Sequence, residues 1–531
     1  MILAALLFLI GLSAGVPDIR NVSAGDVRAT IIASDPVNFD NCIIEGDLDL
    51  RGLKIEGEVH FNHTLFRGSA NFGSTIFNGN ANFKNAEFKG NAYFSDVIFC
   101  QYADFRKTKF EGDADFWNAD FNGTAHLIDK DTNFDGDSKI VTRFINGTIQ
   151  DTCPDGDVDF SSANFKRDAM FWNSDFNGTV CFKDVVFIGE AGFYEADFKA
   201  SADFSNSSFK IEAQFENSTF EGIANYQDAN FKHHPWFSRV EFNGTACFEN
   251  ATFDDTAYFL DADFRGNASF IDAVFDNGAS FRGSRFNLAD FSAAQFNEAT
   301  QFDDSEFNRE ASFNRSRFKG YALFENTTFQ SELSLTKTRY DKLFIRWYNI
   351  HGGLAYDDTA YLSLMKNFKD LGYYEDYDSC YFQYRKAHRD QPWPAVSGWE
   401  QFIRKKIDYP MELFYGYGTK PFNAFFFSLG IVIIFALFWW RVGLGGPRDR
   451  TLAGLQPGEE WLDGDITDIL GFSVTVFLSG TRFFIDPPAL PRIEGRSRSM
   501  IKKAFILERL LGALFSILFF IAISGTIVRA S

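Results

Sequence analysis

The chain is predicted to be a β-solenoid followed by a small helical membrane domain, on three observations. A phenylalanine recurs at alternating intervals of five and six residues, as in Phe61, Phe66, Phe72, Phe77, Phe83, Phe88, Phe94 and Phe99. A fixed short period carrying one bulky residue per step is what stacked coils need, because each coil repeats the side chain that rests on the one below. Carboxylates fill the positions between the aromatics and bring the formal net charge to −20. In the last quarter, residues 422–440 and 510–528 are uncharged and strongly apolar, each long enough to cross about 30 Å of hydrocarbon at about 1.5 Å per residue.

The register runs past the phenylalanines. Counting back from Phe61 by six and five in turn meets Ile55, Leu50, Ile44 and Phe39, and counting on from Phe329 meets Leu335 and Tyr340. A small residue lies two positions before each bulky one, as at Ala70, Thr75, Ala81 and Ala86. A large and a small side chain, both pointing inward, fill a narrow interior without voids.

The A-x-F units, as in Ser69-Ala70-Asn71-Phe72 and Asp113-Ala114-Asp115-Phe116, resemble those of pentapeptide-repeat proteins. The resemblance implies a right-handed quadrilateral β-helix over residues 39–340. The period here is eleven rather than five, so sides of five, six, five and six residues make a coil of about 22. The motif lapses near 128–159, read as an insertion loop, and the spacing of five, five, five from Phe281 to Phe296 predicts one tightened coil. Exposed solenoid ends invite edge pairing; residues 17–38 are expected to cap the start and the aromatic stretch after Tyr340 the end.

A surface of near-identical rungs offers no place for a unique catalytic constellation, and no catalytic, cofactor-binding or metal-ligating residues are expected. The six cysteines show no CxxC pairing, from which neither a zinc site nor a disulfide framework follows. His233-His234 beside Pro235-Trp236 is expected in a surface loop. The negative charge repels phosphates, so nucleic acid is not an expected partner. Some pentapeptide-repeat proteins imitate duplex DNA, and the resemblance therefore carries an acidic nucleic-acid-mimic rod as one alternative.

Residues 341–421 read as a helical linker and interfacial segment. Asp358 or Thr359 caps a helix whose face is Leu362, Met365 and Phe368, closed by Gly372; a second helix from Glu375 places Tyr377, Tyr381 and Tyr384 on one side, expected to pack on the last coil. Trp393, Trp399, Phe402 and Ile403 interleaved with Arg404, Lys405 and Lys406 suit a helix lying at the lipid surface. Between the two spans of the 422–531 domain, residues 469–485 are apolar but broken by Ser473, Thr475, Ser479, Gly480, Thr481 and Arg482. They are expected to form a re-entrant loop, whose backbone needs shelter by protein.

This order, with Tyr415-Gly416-Tyr417-Gly418 ahead of the first span and Gly512 in the second, resembles the two-helix ion-channel domain found fused to pentapeptide repeats. The resemblance implies a pore loop at Thr475, Ser479, Gly480, Thr481 and Arg482 and a homo-oligomer, most simply four subunits. Leu478-Ser479-Gly480-Thr481-Arg482 lacks the glycines and carries an arginine where a potassium filter dehydrates its ion, so potassium selectivity is not expected.

Residues 1–16 read as a signal peptide or anchor, which places the rod outside the cytoplasm. Arg441, Arg448, Arg450, Arg492, Arg496, Arg498, Lys502, Lys503 and Arg509 then lie between the spans on the inner side, in accord with the positive-inside rule. N-x-S/T sequons at Asn62, Asn122, Asn177, Asn243 and Asn326 can carry glycan on an exported rod. The expected partners are membrane lipid, further copies of the chain and a protein bound along the rod. The alternative to a channel-like protein is a non-conducting cell-surface scaffold or adhesion protein.

Overall fold

A computed structural model describes residues 20–33, 37–122, 158–391, 398–444, 466–481, 485–490 and 498–530. The expected leader at 1–16 and most of the insertion at 128–159 lie outside these residues. The chain divides into two compact units, Met1–Ala360 and Tyr361–Ser531.

The first unit is a parallel β-solenoid. Its strands are mostly two residues long and pair with the strand 22 positions away, as Ala81 with Ala103 and Phe88 with Phe110. Two 13-stranded sheets form two sides, and a 23-stranded sheet holds two further ladders, one through Ile76 and Ile98, the other through Ala81 and Ala103. The coil is therefore four-sided.

Alternation along each strand sends Ala inward, the next residue outward and Phe inward again. The Phe rings pile into four columns, with neighbours in a column nearly parallel: Phe160 and Phe182 are 4.8 Å apart at 3°, Phe248 and Phe270 4.9 Å at 1°. Rings of different columns meet edge to face, as Phe94 and Phe105 do at 5.5 Å and 89°, the arrangement the ring quadrupole favours. Each buried Phe contributes about 1.5–3 kcal/mol of transfer free energy, spread evenly along the rod.

Two features of the repeat answer backbone needs that the Phe spacing alone does not reveal. The small inward position is often Thr or Ser because its hydroxyl donates to the Phe carbonyl one coil back: Thr75 to Leu50 at the solenoid's start (2.8 Å), Thr108 to Phe83 (2.9 Å) and Thr327 to Phe302 (2.6 Å). These bonds satisfy acceptors that would otherwise be buried without partners. The second residue after every other Phe, the Phe of each A-x-F unit, turns a corner in the left-handed region, in one run through Asn85 and Lys107 and another through Asp96 and Asn118, with φ of 53–58°. Asn and Asp dominate there because their short polar side chains tolerate this conformation best.

Both irregularities in spacing are absorbed without breaking a ladder. Across the insertion Lys109 pairs with Asn164 and Phe121 with Phe176, so the coil below resumes on the one above. Where one residue is missing, Arg285–Asp290 runs straight through a corner as one strand, paired with Asp263–Ser269 across a register shift between Phe264 and Asn267. The coil shortens at that corner, and Phe275 still stacks on Phe296 at 4.9 Å.

A short strand and a helix cover the start of the solenoid. Strand Arg20–Ser23 pairs with Cys42–Glu45, and helix α1 (Ala24–Ile32), N-capped by the Ser23 hydroxyl, buries Ala24, Val27 and Ile31. At the other end the ladder outlasts Tyr340: Leu343–Phe344 pairs with Ala322–Leu323, and bridges join Phe329 to Ile350 and Leu333 to Leu354. The aliphatic substitutions Leu343, Ile345, Ile350 and Leu354, all buried, hid this extension from a count of phenylalanines. Among the described cysteines Cys42, Cys100, Cys247 and Cys380 are free, whereas Cys181 is disulfide-bonded, a bond that did not follow from the cysteine spacing. Sequence spacing does not reveal a pair closed through space.

The second unit is helical: α2 (Asp358–Asp370, from the unit boundary), α3 (Tyr374–Asp390), α4 (Gly398–Tyr415), α5 (Pro421–Trp439), α6 (Ile466–Leu478) and α7 (Arg498–Ala530). Helix α2 ends at Gly372 (φ 75°) as read. Its buried face is Tyr361, Leu364, Met365 and Phe368, the i, i+3, i+4, i+7 stripe, and Leu362 is 54% exposed rather than inward. Two helical segments, Pro421–Val442 and Arg498–Ser524, are long and apolar enough to cross a membrane. The second begins twelve residues before the uncharged stretch at 510, because Met500, Ile501, Ala504 and Phe505 continue the apolar pattern between Lys502, Lys503 and Glu508. Most of the surface of both segments is exposed in the single chain, at positions such as Phe426, Ile434, Leu510 and Ile521.

Candidate functional site

Helices α5, α6 and α7 pack together around two apolar clusters. One joins Trp439, Ile469, Phe472, Val476, Ile501 and Phe505, the other Ala424, Val432, Phe477, Phe515 and Leu518. Helix α6 has 13 residues, a rise of about 20 Å, too short for a crossing of about 30 Å.

Four of the five candidate pore-loop residues, Thr475, Ser479, Gly480 and Thr481, fall at the C-terminal end of α6, which stays helical to Leu478 before turning. Thr475 is half-exposed and bonds the Gly471 carbonyl of its own helix at 2.8 Å. Ser479 is fully buried, with its hydroxyl donating to the Val476 carbonyl at 2.7 Å. Gly480 is pressed on α7, where a Cβ would stand 2.2 Å from the Arg509 carbonyl oxygen and 2.5 Å from the Ala513 nitrogen. Thr481 brings a buried hydroxyl beside them, and Arg482 lies outside the described residues. Facing this turn, a Cβ on Gly512 would stand 1.9 Å from the Phe477 carbonyl oxygen. Two glycines thus let α6 and α7 touch backbone to backbone, as small residues do at helix contacts in lipid.

Between the same helices is a polar cluster that the reading of the spans passed over. Glu508 of α7 is fully buried; Trp439 Nε1 donates to its Oε2 at 2.8 Å and the Ser473 hydroxyl donates to its Oε1. Ser473 Oγ also lies 3.0 Å from the Val432 carbonyl. One residue thus draws hydrogen bonds from both neighbouring helices. The signal was present as a lone carboxylate inside an apolar helix, which is costly and marks function by default.

A second polar network ties α3 to α4 and to the Tyr415-Gly416-Tyr417-Gly418 motif. Arg385 Nη2 meets Asp408 Oδ1 at 3.0 Å, and Arg389, with only 5% of its side chain exposed, pairs with Glu412. The Tyr417 hydroxyl donates to Asp408 Oδ2 at 2.7 Å and accepts from Arg389 Nη1 at 3.2 Å, while the Arg385 guanidinium lies 4.9 Å from its ring. Burial, and then the bond to Asp408, push the Tyr417 phenol well above its ordinary value. Gly416, Tyr417 and Gly418 are all left-handed, with φ of 58°, 55° and 91°. The motif is a tight turn clamped by an ion-pair network immediately before α5.

On the solenoid, Asn122 and Asn177 occupy adjacent rungs of one exposed column, linked at 2.8 Å, with Asn243 three coils beyond Asn177. Asn326 is exposed and Asn62 half-buried. The sequon hydroxyl of Thr64 is buried against the Phe39 carbonyl at 2.6 Å.

The family model for pentapeptide repeats, in nine copies, matches residues 61–106, 182–225, 226–273, 237–285, 248–295, 261–305 and 291–339. These segments all lie in the solenoid. Among solved structures the chain is similar to HetL, a pentapeptide-repeat protein involved in heterocyst differentiation regulation from the cyanobacterium Nostoc sp., at 10% identity. The match covers 56% of this chain and 90% of that one, with a TM-score of 0.17. No curated protein matches the chain.

Proposed function

We propose that this is a non-enzymatic membrane protein in which a pentapeptide-repeat rod, displayed outside the cytoplasm for protein interaction, is carried by an ion-channel-like domain. The observation supporting it most is α6, a helix too short to span, seated between two span-length helices with its Ser479-Gly480 turn against Gly512. A short helix and turn held between two spans is the plan of a pore-loop channel. The exposed apolar flanks of α5 and α7 suit lipid and further copies of the chain, most simply four around a pore. Arg441, Arg498, Lys502 and Lys503, with Arg448, Arg450, Arg492, Arg496 and Arg509, favour that side as cytoplasmic and hence the rod outside.

Recording from purified protein in planar bilayers tests the channel. Current that is lost or altered by Gly480→Val supports conduction; silence under all voltages and ions tried favours the non-conducting scaffold, for which the uninterrupted rod speaks. Protease added to intact cells tests orientation: cleavage of the rod only after lysis overturns its display outside.

A further inference from the structure

One side of the solenoid carries three outward columns, and in its middle coils they differ in kind. The column before each inward Ala is acidic on four consecutive rungs, Asp113, Asp168, Glu190 and Glu212, as the bonds from Ala114, Ala169 and Ala191 to successive carbonyls show. Four residues on, and on the same face, the outer column is aromatic and then acidic: Trp117, Trp172, Tyr194 and Glu216. The three aromatics are 47%, 37% and 37% exposed, although the repeat could place any polar residue there. At Gly192, in the column between, a Cβ would stand 2.1 Å from Trp172 Nε1 and 2.8 Å from Met170 Sδ. The absent side chain gives the indole room to lie over the strand instead of projecting from it.

The carboxylates of this face repel one another. Burial, then Glu212 and Asp168, raise Glu190 above its ordinary value; burial and the charges of Glu212 and Glu190 raise Glu216, offset in part by Arg239. Among the described residues Asp168, Glu190, Glu212 and Glu216 form no ion pair. Glu212 instead accepts from Trp236 Nε1 at 2.6 Å.

We infer that this face binds an extended, lysine- and arginine-bearing segment of a partner protein, its cations held by the acidic column and its side chains lying over Trp117, Trp172 and Tyr194. Charge complementarity selects the occupant: exposed aromatic faces attract cations, and Asp168, Glu190 and Glu212, which form no ion pair among the described residues, gain from an added positive charge. The coil repeat of about 4.8 Å sets the aromatics one rung apart, a ladder along which an extended chain can run. This inference rests on the rod being an interaction domain and names the surface and the class of partner.

The test is binding of fluorescein-labelled deca-arginine, deca-glutamate and a Gly-Ser decapeptide to the full-length protein in detergent, read by anisotropy. Deca-arginine alone is expected to bind, with affinity falling by about tenfold or more for Trp117→Ala/Trp172→Ala and for Glu190→Gln/Glu212→Gln. Asp228→Asn/Asp272→Asn, which removes two charges at exposed corners in the run of left-handed positions that includes Asn85 and Lys107, is expected to leave affinity unchanged. Equal losses from both charge pairs, or no loss from the tryptophan pair, reduce the binding to diffuse attraction and overturn the site. Binding of only the acidic or uncharged peptide overturns the cationic face while keeping the rod an interaction domain. No binding by any of the three overturns the inference and removes this support for the rod's role; circular dichroism of each variant separates loss of site from loss of fold.

Discussion

Trp439 and Glu508, 69 residues apart, meet in the interior of the three apolar helices, with Trp439 Nε1 donating to Glu508 Oε2 at 2.8 Å. Because Ser473 donates to the other oxygen, one carboxylate registers α5 and α6 against α7. Glu508→Ala strands the Trp439 Nε1 donor in an apolar interior, while Ser473 falls back on the Val432 carbonyl, and leaving a buried group without its partner costs about 1–3 kcal/mol. The expected result is a clear loss of thermal stability in detergent for Glu508→Ala. Glu508→Gln, which keeps one acceptor, should fall between it and the native protein. Equal melting temperatures for all three would remove Glu508 from the packing of this unit.

The Gly512 contact with the Phe477 carbonyl sets a second expectation. A Cβ at 1.9 Å is not accommodated without moving α6 away from α7, so Gly512→Val should destabilise the unit by roughly the 1–3 kcal/mol typical of overpacking and should abolish any current in bilayers. Leu514, on the exposed side of the same helix, is the control, and Leu514→Val should change neither. Intact stability in Gly512→Val would mean that α6 is not held in this place.

Most of the rod was legible because one physical requirement, an identical inward ring per step, writes itself directly into spacing. What spacing does not encode is corner geometry and hydrogen-bond bookkeeping. The Asn and Asp of the left-handed corners and the hydroxyls of Thr75 and Thr108 were visible as residues, but their reasons appear only when coils are stacked. The membrane unit was legible in its spans and not in its site. Attention to a filter motif at Ser479-Gly480 passed over Glu508, whose partners Trp439 and Ser473 come from distant segments that only packing brings together. Likewise Tyr415-Gly416-Tyr417-Gly418 was legible as a motif ahead of the first span, but the ion-pair clamp on Tyr417 appears only when distant segments pack.

Tyr226 occupies a phenylalanine position, stacked between Phe204 and Phe248 at 4.9 and 4.8 Å, and its fully buried hydroxyl has no hydrogen-bond partner among the described residues. An unsatisfied buried hydroxyl costs about 1–3 kcal/mol, and phenylalanine keeps every ring contact. Tyr226→Phe should therefore raise the midpoint of denaturant unfolding of the rod. A lowered midpoint would show that the hydroxyl is satisfied.

The repulsion around Glu190 and Glu216 predicts a pH dependence with a definite sign. Both carboxyls are held above the 4.5 of a solvated glutamate in the folded rod. Just above that pH the folded chain keeps protons that the unfolded chain has released, so stability falls as pH rises through the folded values. Melting temperature followed from pH 4.5 upward should decline less steeply in Glu190→Gln/Glu216→Gln than in the native protein. Parallel curves would show that these two groups do not report folding.

Tyr417 supports the last expectation, because it carries two opposed effects. A non-glycine residue at φ 55° is strained by roughly 1–2 kcal/mol, yet its hydroxyl is bonded to Asp408 and Arg389, and a hydrogen bond to a charged group contributes about 1.5–3 kcal/mol. The bonds outweigh the strain, which is why tyrosine stands between two glycines here. Tyr417→Phe keeps the strain and the ring beneath Arg385 but loses the bonds, and it should be destabilised in thermal unfolding. Tyr417→Gly relieves the strain but loses ring and hydroxyl together, and it should be destabilised as well. A Tyr417→Gly protein more stable than the native one would show that conformation, not the clamp, governs this turn.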